Sequence, residues 1–196
     1  MDRPAPALGP PRKRWGAALE RIARERLLSR LDRRRLVMRW EPDAVQIPAS
    51  AIEPIVVENF AALPVTLTLE ADPAGMPRDW HRHFFDQGAT LWTALEDGRA
   101  LGSLWMIGAQ RLGAWYLPLE PNAQVIYGVV TPKWSRGRGV AAQLALAAAR
   151  AADGAPVYLD CMAWNRAAHR AFAKAGFVAV ATVGSRWREV RAGPDA

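Results

Sequence analysis

A strand that stops at a proline and is followed by a glycine-rich turn and a helix constrains this fold more than any other feature. Residues 124–131 are rich in Val, Ile and Tyr, which favours a strand, and Pro132 cannot continue a central strand. An alanine-rich stretch then predicts a helix over 140–152, closed by Gly154 and Pro156. The sequence therefore places a sharp strand-to-helix connection in the second half of the chain.

The turn itself has the composition of an anion site. Gly137 and Gly139 carry no side chain, so a ligand can approach the main chain, and Arg136 and Arg138 add positive charge. The first N–H groups of a helix have no intrahelical partner, and the helix dipole adds positive potential there. The segment predicts binding of phosphate groups at the helix start, although an ordinary glycine turn has the same local pattern.

The remaining elements predict an α+β fold with a mixed sheet. Asp97 and Gly98 favour a tight turn between two apolar runs, which predicts a hairpin. Strands and helices alternate in the second half of the chain, which indicates a βαβα unit. The predicted strands are 36–40, 91–95, 101–107, 124–131, 157–161 and 177–183, with a further candidate at 187–190, and the other predicted helices are 78–87 and 166–175.

The positive charge is concentrated near the N-terminus. Residues 12–39 hold eleven Arg or Lys against three acidic residues, which exceeds the net charge of +7 on the whole chain. We expect residues 1–35 to form a proline-rich disordered tail and a basic helical extension, and 36–196 to form the folded domain. The extension is interpreted as a solvated helix packed on its own domain, or as a contact to a membrane surface or an acidic partner. We do not expect nucleic acid as a partner, because no nucleic-acid-binding motif accompanies the charge.

The composition excludes two broad classes of protein. The single cysteine, Cys161, cannot form an intramolecular disulfide framework and fits a reducing compartment. No apolar run approaches the roughly 20 residues needed to span a bilayer. We therefore expect a soluble cytoplasmic protein with a sizeable core.

A second motif follows the turn and makes the pattern specific. Asn165 precedes the predicted helix 166–175, and Gly176 with Phe177 closes that helix and starts the next strand. The order and spacing of the two motifs resemble those of the GNAT superfamily of N-acetyltransferases. Its patterns, Arg/Gln-x-x-Gly-x-Gly/Ala and Asn-x-x-Ala-x-x-Leu-Tyr-x-Lys-x-Gly-Phe, are matched by Arg136, Gly139, Ala141, Asn165, Ala168, Lys174, Gly176 and Phe177, with Ala171 and Phe172 where Leu-Tyr is usual.

The resemblance implies a mostly antiparallel central sheet flanked by helices, acetyl-CoA or another acyl-CoA as co-substrate, and no metal. It implies that main-chain N–H groups of 137–141 bind the pyrophosphate and that the strand at Val129 and Val130 binds the pantetheine. The N–H of Val130 would polarise the thioester carbonyl. Asn165 would support the pantetheine end, and it also suits the N-cap of its helix. The full implied set of cofactor-binding residues is Val129, Val130, Arg136, Gly137, Arg138, Gly139, Val140, Ala141, Asn165, Phe172 and Lys174.

The catalytic groups are less well defined by the sequence. Relatives commonly have a tyrosine at the position of Phe172 that protonates the leaving thiolate, which a phenyl ring cannot do. The acceptor amine must also lose a proton, yet the strand 124–131 has no carboxylate. The candidate bases are Tyr127, Glu120, Asp160, His81 and His83. A protein that binds acyl-CoA as a sensor without transferring the acyl group is the alternative.

Gly137-x-Gly139-x-x-Ala142 also fits the dinucleotide fingerprint, with Asp160 at a suitable distance. The turn to the first glycine is too long for that fold, and too little chain follows Asp160 to complete its sheet.

The acceptor is expected to be a small-molecule or peptide amine. An apolar pocket would use the aromatic residues well, so we expect a bulky apolar acceptor or acyl group, although core packing explains the same residues. The residues concerned are Trp80, Phe84, Phe85, Trp92, Trp105, Trp115 and Tyr116.

Overall fold

The computed structural model describes residues 34–48, 52–63 and 78–184, with the backbone alone at 78–80. The predictions for 1–33, for the strand at 187–190 and for the side chain of Trp80 lie outside these residues. The described strands are β1 (Arg35–Val45), β2 (Ile55–Val57), β3 (Thr90–Glu96), β4 (Arg99–Gly108), β5 (Gln124–Val130), β6 (Val157–Met162) and β7 (Ala175–Val183). The helices are α1 (Arg78–Asp86), α2 (Val140–Ala151) and α3 (Arg166–Lys174), with 3-10 turns at Phe60–Ala62, Ala109–Arg111 and Lys133–Ser135.

The described strands form one sheet in the order β2-β3-β4-β5-β6-β1-β7. Only the β5–β6 pair is parallel; the other neighbours are antiparallel. This confirms the predicted mixed, mostly antiparallel sheet. The helices α2 and α3 cover one face, called here the helical face. The opposite face, called the second face, packs against α1 and the loop 109–121.

The predicted hairpin is confirmed, and β1 is longer than predicted. Asp97 and Gly98 have φ angles of 51° and 75°, as a tight turn between β3 and β4 requires. The sequence placed the end of β1 at Trp40 because Pro42 follows. The strand continues to Val45 because the register against β7 shifts between Trp40 and Val45, and such an irregularity tolerates a residue without an N–H.

The helix α2 lies against the sheet through small side chains. Ala142, Ala145, Ala148 and Ala149 are buried, together with Leu144. Alanine brings a helix close to the strands beneath it and has the highest helix propensity. The start of α2 is therefore held next to the end of β5.

The parallel ladder between β5 and β6 is short. Pairing runs from Gln124 with Val157 to Ile126 with Leu159, and the described structure has no pairs between the two strands beyond that point. We call the region past Ile126 and Leu159 the split. A split between neighbouring strands leaves main-chain groups that a ligand can use.

A bulge in β5 lies directly at the split. Tyr127 pairs with Trp105 and Val130 with Ser103, so β5 has one residue more than β4 between these pairs. Gly128, at a φ of 60°, takes the extra position. Tyr127 consequently packs on the second face while Val129 packs on the helical face. No helix in the described part of the chain is long and apolar enough to cross a membrane.

Candidate active site

A cleft of about 680 Å³ lies on the helical face, between the end of β5, the start of α2 and one side of α3. It brings together residues from both sequence motifs, which are far apart along the chain. Of the predicted cofactor-binding residues, Val129, Arg136, Gly137, Gly139, Val140, Ala141, Asn165, Phe172 and Lys174 line it. Val130 and Arg138 are not among its lining residues.

The start of α2 is exposed to the cleft and has no side-chain cap. Its N-cap, Gly139, has a φ of 79°, and Gly137 has a φ of 85°. Residues with a side chain rarely adopt such φ angles, which explains why glycine occupies both positions. Gly139, Val140 and Ala141 line the cleft, where the first N–H groups of the helix need a partner. This geometry suits an anionic group.

A buried serine, which the sequence analysis missed, fixes the loop before α2. The hydroxyl of Ser135 donates to the carbonyl of Leu101 at 2.6 Å and lies 3.1 Å from the carbonyl of Pro132. The side chain is fully buried. Nothing in the local sequence distinguishes this serine from one exposed in a turn.

Arg136 lines the cleft, whereas Arg138 does not. The Nε atom of Arg136 donates to the carbonyl of Thr131 at 3.1 Å, and the side chain lines the cleft. Arg138 forms a two-pronged ion pair with Glu96 on the hairpin, at 2.8 and 2.5 Å. The hydrogen bond from Arg138 lowers the pKa of Glu96 and the bond to Glu96 raises the pKa of Arg138. In the structure the Arg138 guanidinium is thus paired with the Glu96 carboxylate, and its predicted role in binding the coenzyme stays a prediction.

The helix α3 supplies the other wall. The side chain of Asn165 accepts from the N–H of Ala168 at 3.1 Å, which confirms its predicted role as N-cap. Phe172 is only 4% exposed and packs edge-on against Phe177 at 6.3 Å between ring centroids. The lining also includes residues that the sequence analysis did not select, among them Ile47, Trp164 and Arg170. None of the three is at a defined position of either motif.

On the second face, Asp160 lies on β6 at the first position past Leu159, the last residue paired with β5. Its carboxylate is bonded to the Nε atom of Arg35, and its side chain is only 8% exposed. Burial raises the pKa of Asp160, and the charge of Arg35 opposes that shift. The carboxylate is thus held at the split in an environment that makes it a stronger base.

Tyr127 and Glu120 have different environments. The ring of Tyr127 packs edge-on against Phe84 at 5.6 Å, and burial raises its pKa well above the usual range. A neutral phenol at physiological pH is a poor base. Glu120 accepts from the hydroxyl of Tyr158 at 3.0 and 3.1 Å. Tyr158 pairs with Val125, where β5 and β6 are still joined, so Glu120 lies away from the split.

Several predicted aromatic residues are structural. Trp92 and Trp105 are buried in the core, and Trp105 packs against Phe84 and Phe85 with ring centroids 5.0 and 4.9 Å away. The ring of His81 is buried and stacked on Trp105. His81 and His83 both lie on α1. Within 34–48, 52–63 and 78–184, no group of three or more His, Cys, Asp or Glu residues could hold a metal ion.

Comparison with known proteins agrees with the geometry. The family model described as "Acetyltransferase (GNAT) family" matches residues 57–177, which include the turn, the split and the lining of the cleft apart from Ile47. The chain belongs to this family. A comparison with curated proteins found no match.

Solved structures show the same fold at low identity. The chain is similar to a GNAT-family acetyltransferase from Colwellia psychrerythraea (16% identity, TM-score 0.55, 75% of this chain and 53% of that one). It is also similar to a putative GNAT-family acetyltransferase from Novosphingobium aromaticivorans (22% identity, TM-score 0.51, 76% of this chain and 60% of that one). A putative acetyltransferase from Agrobacterium tumefaciens is matched over 67% of this chain and 96% of its own length (20% identity, TM-score 0.50). The chain thus spans about half to three fifths of the first two relatives.

Proposed function

We propose that the protein transfers an acetyl or longer acyl group from acyl-CoA to the amine of a small molecule or peptide in the cytoplasm. The observation that carries the proposal is the cleft, which joins the uncapped start of α2 to the motif-bearing side of α3 beside the split. The residues present fit coenzyme A, because the cleft combines main-chain donors for phosphate with an apolar wall. The buried free thiol of Cys161 is consistent with a reducing compartment.

The acyl-CoA would bind on the helical face. The N–H groups of 137–141 would hold the pyrophosphate, with Arg136 beside them, and Lys174 and Asn165 would border the coenzyme from α3. The pantetheine would follow Val129 and Val130 at the bulge, with its thioester at the split. A main-chain N–H there, assigned to Val130, would stabilise negative charge that develops on the thioester oxygen.

The acceptor would approach from the second face, where Asp160 is positioned to act as base. An ammonium loses one proton to the carboxylate, and the neutral nitrogen attacks the carbonyl carbon of the thioester. The new C–N bond forms and the C–S bond breaks. A second proton leaves the nitrogen and one proton goes to the thiolate by way of water, so that one proton is released overall.

Phe172 changes how the thiolate leaves but does not prevent it. A coenzyme thiol has a pKa of about 8.5 on the cysteine scale, so its thiolate is a tolerable leaving group near neutral pH. The phenyl ring forms part of the apolar wall instead. Protonation of sulfur by solvent replaces the role of a tyrosine.

Binding of acyl-CoA without transfer is a second candidate, favoured by the same Phe172 and by the lack of a carboxylate in β5. The two functions differ in turnover. The test is release of free thiol from acetyl-CoA and from a longer acyl-CoA in the presence of single amines and short peptides. Acylated product at a rate above the buffer reaction supports transfer, whereas saturable binding of both thioesters without product across the panel supports a sensor.

The chain offers a favourable background for this assay. Cys161, its one cysteine, is buried, and burial raises the pKa of the thiol to about 11. A thiol reagent used near pH 8 therefore reports coenzyme A and not the protein. A mass spectrum of the protein after the assay checks that Cys161 is unlabelled.

A further inference from the structure

The accessible charge beside the split on the second face is positive, although a carboxylate lies there. The side chain of Arg35 is 36% exposed and that of Asp160 is 8% exposed. The guanidinium is therefore the more exposed of the two paired groups on this face.

The guanidinium of Arg35 has hydrogen-bonding capacity left for a ligand. Its Nε atom is bonded to Asp160, and its Nη1 atom contacts the sulfur of Met162 at 3.5 Å. A thioether is a weak acceptor, and a guanidinium has five N–H donors in a planar fork. A carboxylate that took two of these donors would form the stronger, charge-assisted bonds that such a fork favours.

An aromatic ring completes the cluster. The guanidinium carbon of Arg35 lies 5.7 Å from the ring centroid of Tyr116, which the loop 109–121 places on this face, and Trp115 packs against Tyr116 at 5.5 Å. Burial raises the pKa of the Tyr116 hydroxyl, the charge of Asp160 adds to that shift, and the charge of Arg35 opposes it. Stacking limits the rotamers of Arg35 and orients its donor edge.

We propose that Arg35 binds a carboxylate of the acceptor, so that the acceptor is an amino acid or a similar molecule with its amine and carboxylate close together. The carboxylate would take the donor edge of Arg35, and the adjacent amine would then lie near Asp160. A polyamine would place its extra positive charges against Arg35 and be disfavoured. This inference rests on the proposed acyl transfer and adds the class of its substrate.

The chain provides a matched control on the same strand. Arg39 is also on β1, and its guanidinium carbon lies 6.0 Å from the ring centroid of Tyr158 on the second face. Arg39 pairs with Tyr158, where β5 and β6 are still joined, whereas Arg35 pairs with Met162, which lies in the split. Arg35→Gln and Arg39→Gln therefore remove the same group from two sites that differ in their distance from the reaction.

The experiment compares phenylalanine with phenethylamine, which lacks only the carboxylate, as acceptors for acetyl-CoA. The measured quantity is the ratio of kcat/KM for the two acceptors, since Arg35→Gln also alters Asp160 and lowers both rates. Wild type and Arg39→Gln are expected to favour phenylalanine by about tenfold or more, and Arg35→Gln to lose most of that preference through KM. Arg35→Lys should retain part of it.

A wild-type preference for phenethylamine, or a ratio unchanged by Arg35→Gln, would overturn the assignment. If neither acceptor turns over, calorimetric binding of phenylalanine to the coenzyme A complex replaces the rate, and equal affinity for wild type and Arg35→Gln overturns it as well. Failure of the proposed transfer itself is seen separately, as absence of acyl-CoA binding or of thiol release with every amine.

Discussion

The two faces of the sheet meet at the split but are built from different chemistry. On the helical face, the groups that suit coenzyme A are main-chain N–H groups. Gly137 and Gly139 matter there because they permit the positive φ angles of the turn before α2. On the second face, the groups are the side chains of Arg35, Asp160 and Tyr116, which come from three separate segments. A main-chain site leaves a local pattern in the sequence, whereas a side-chain site of this kind leaves none.

The comparison is tested most strongly by the side chain proposed as base. Asp160→Asn removes the proton acceptor and is expected to lower kcat by about 10²–10⁴-fold while leaving acyl-CoA affinity nearly unchanged. Glu120→Gln, a carboxylate on the same face but away from the split, is the control and should retain most activity. Rate and calorimetric affinity are measured together. Equal losses in the two variants would remove Asp160 from the mechanism.

The pH dependence of the same reaction provides an independent check. Because burial raises the pKa of Asp160, its basic form is lost at a higher pH than for an exposed aspartate. The wild-type rate should therefore fall as the pH drops through this raised pKa. This acidic limb of the pH–rate profile should be absent from the residual activity of Asp160→Asn. A limb that persists in the variant would belong to another group.

On the helical face, substitution of Asn165 tests how far the stability of α3, which forms one wall of the cleft, depends on its N-cap. Asn165→Ala removes the bond to the N–H of Ala168, and loss of an N-cap costs about 1 kcal/mol of stability. We expect a lower melting temperature and an acyl-CoA affinity several-fold weaker at most. Asn165→Asp preserves the cap and should restore stability, and a lower melting temperature in Asn165→Asp would contradict a capping role.

Phe172→Tyr measures whether the missing phenol limits the reaction. If solvent protonates the thiolate, restoring the hydroxyl should change kcat by less than about threefold, because a leaving group with a pKa of about 8.5 needs little assistance. The rate is best compared below pH 7, where an acid would help most. An increase of two orders of magnitude would show that the natural residue slows catalysis.

The smallest effect is expected at Glu96. Glu96→Gln removes the negative charge paired with the guanidinium of Arg138 near the start of α2. This should tighten acyl-CoA binding by less than about fivefold at low salt and not at high salt. Glu41→Gln is a matched control, because Glu41 is 47% exposed against 46% for Glu96 and faces Arg39 instead. Weaker binding by Glu96→Gln would mean that the ion pair supports the loop.

The sequence predicted most of the fold and of the coenzyme cleft for one reason. Turn chemistry at Asp97-Gly98 and Gly137-x-Gly139, and the cap at Asn165, are local, so their residues indicate their conformations directly. The sequence could not predict the contact of Arg138 with Glu96 or the burial of Ser135, because each depends on a hairpin 42 or 34 residues away along the chain. Arg35 reaches Asp160 across 125 residues, which no spacing rule describes.

The central claim, that the uncapped start of α2 binds the phosphates of acyl-CoA, is tested most directly by calorimetric titration of acetyl-CoA into Gly139→Glu and Gly154→Glu. Both glycines have a φ of 79°, so the backbone strain is matched, but Gly139 lines the cleft and Gly154 follows the far end of α2. The account predicts that binding falls by at least about 100-fold in Gly139→Glu, through charge and bulk at the phosphate site, and persists in Gly154→Glu. Wild-type affinity in a folded Gly139→Glu protein would contradict it.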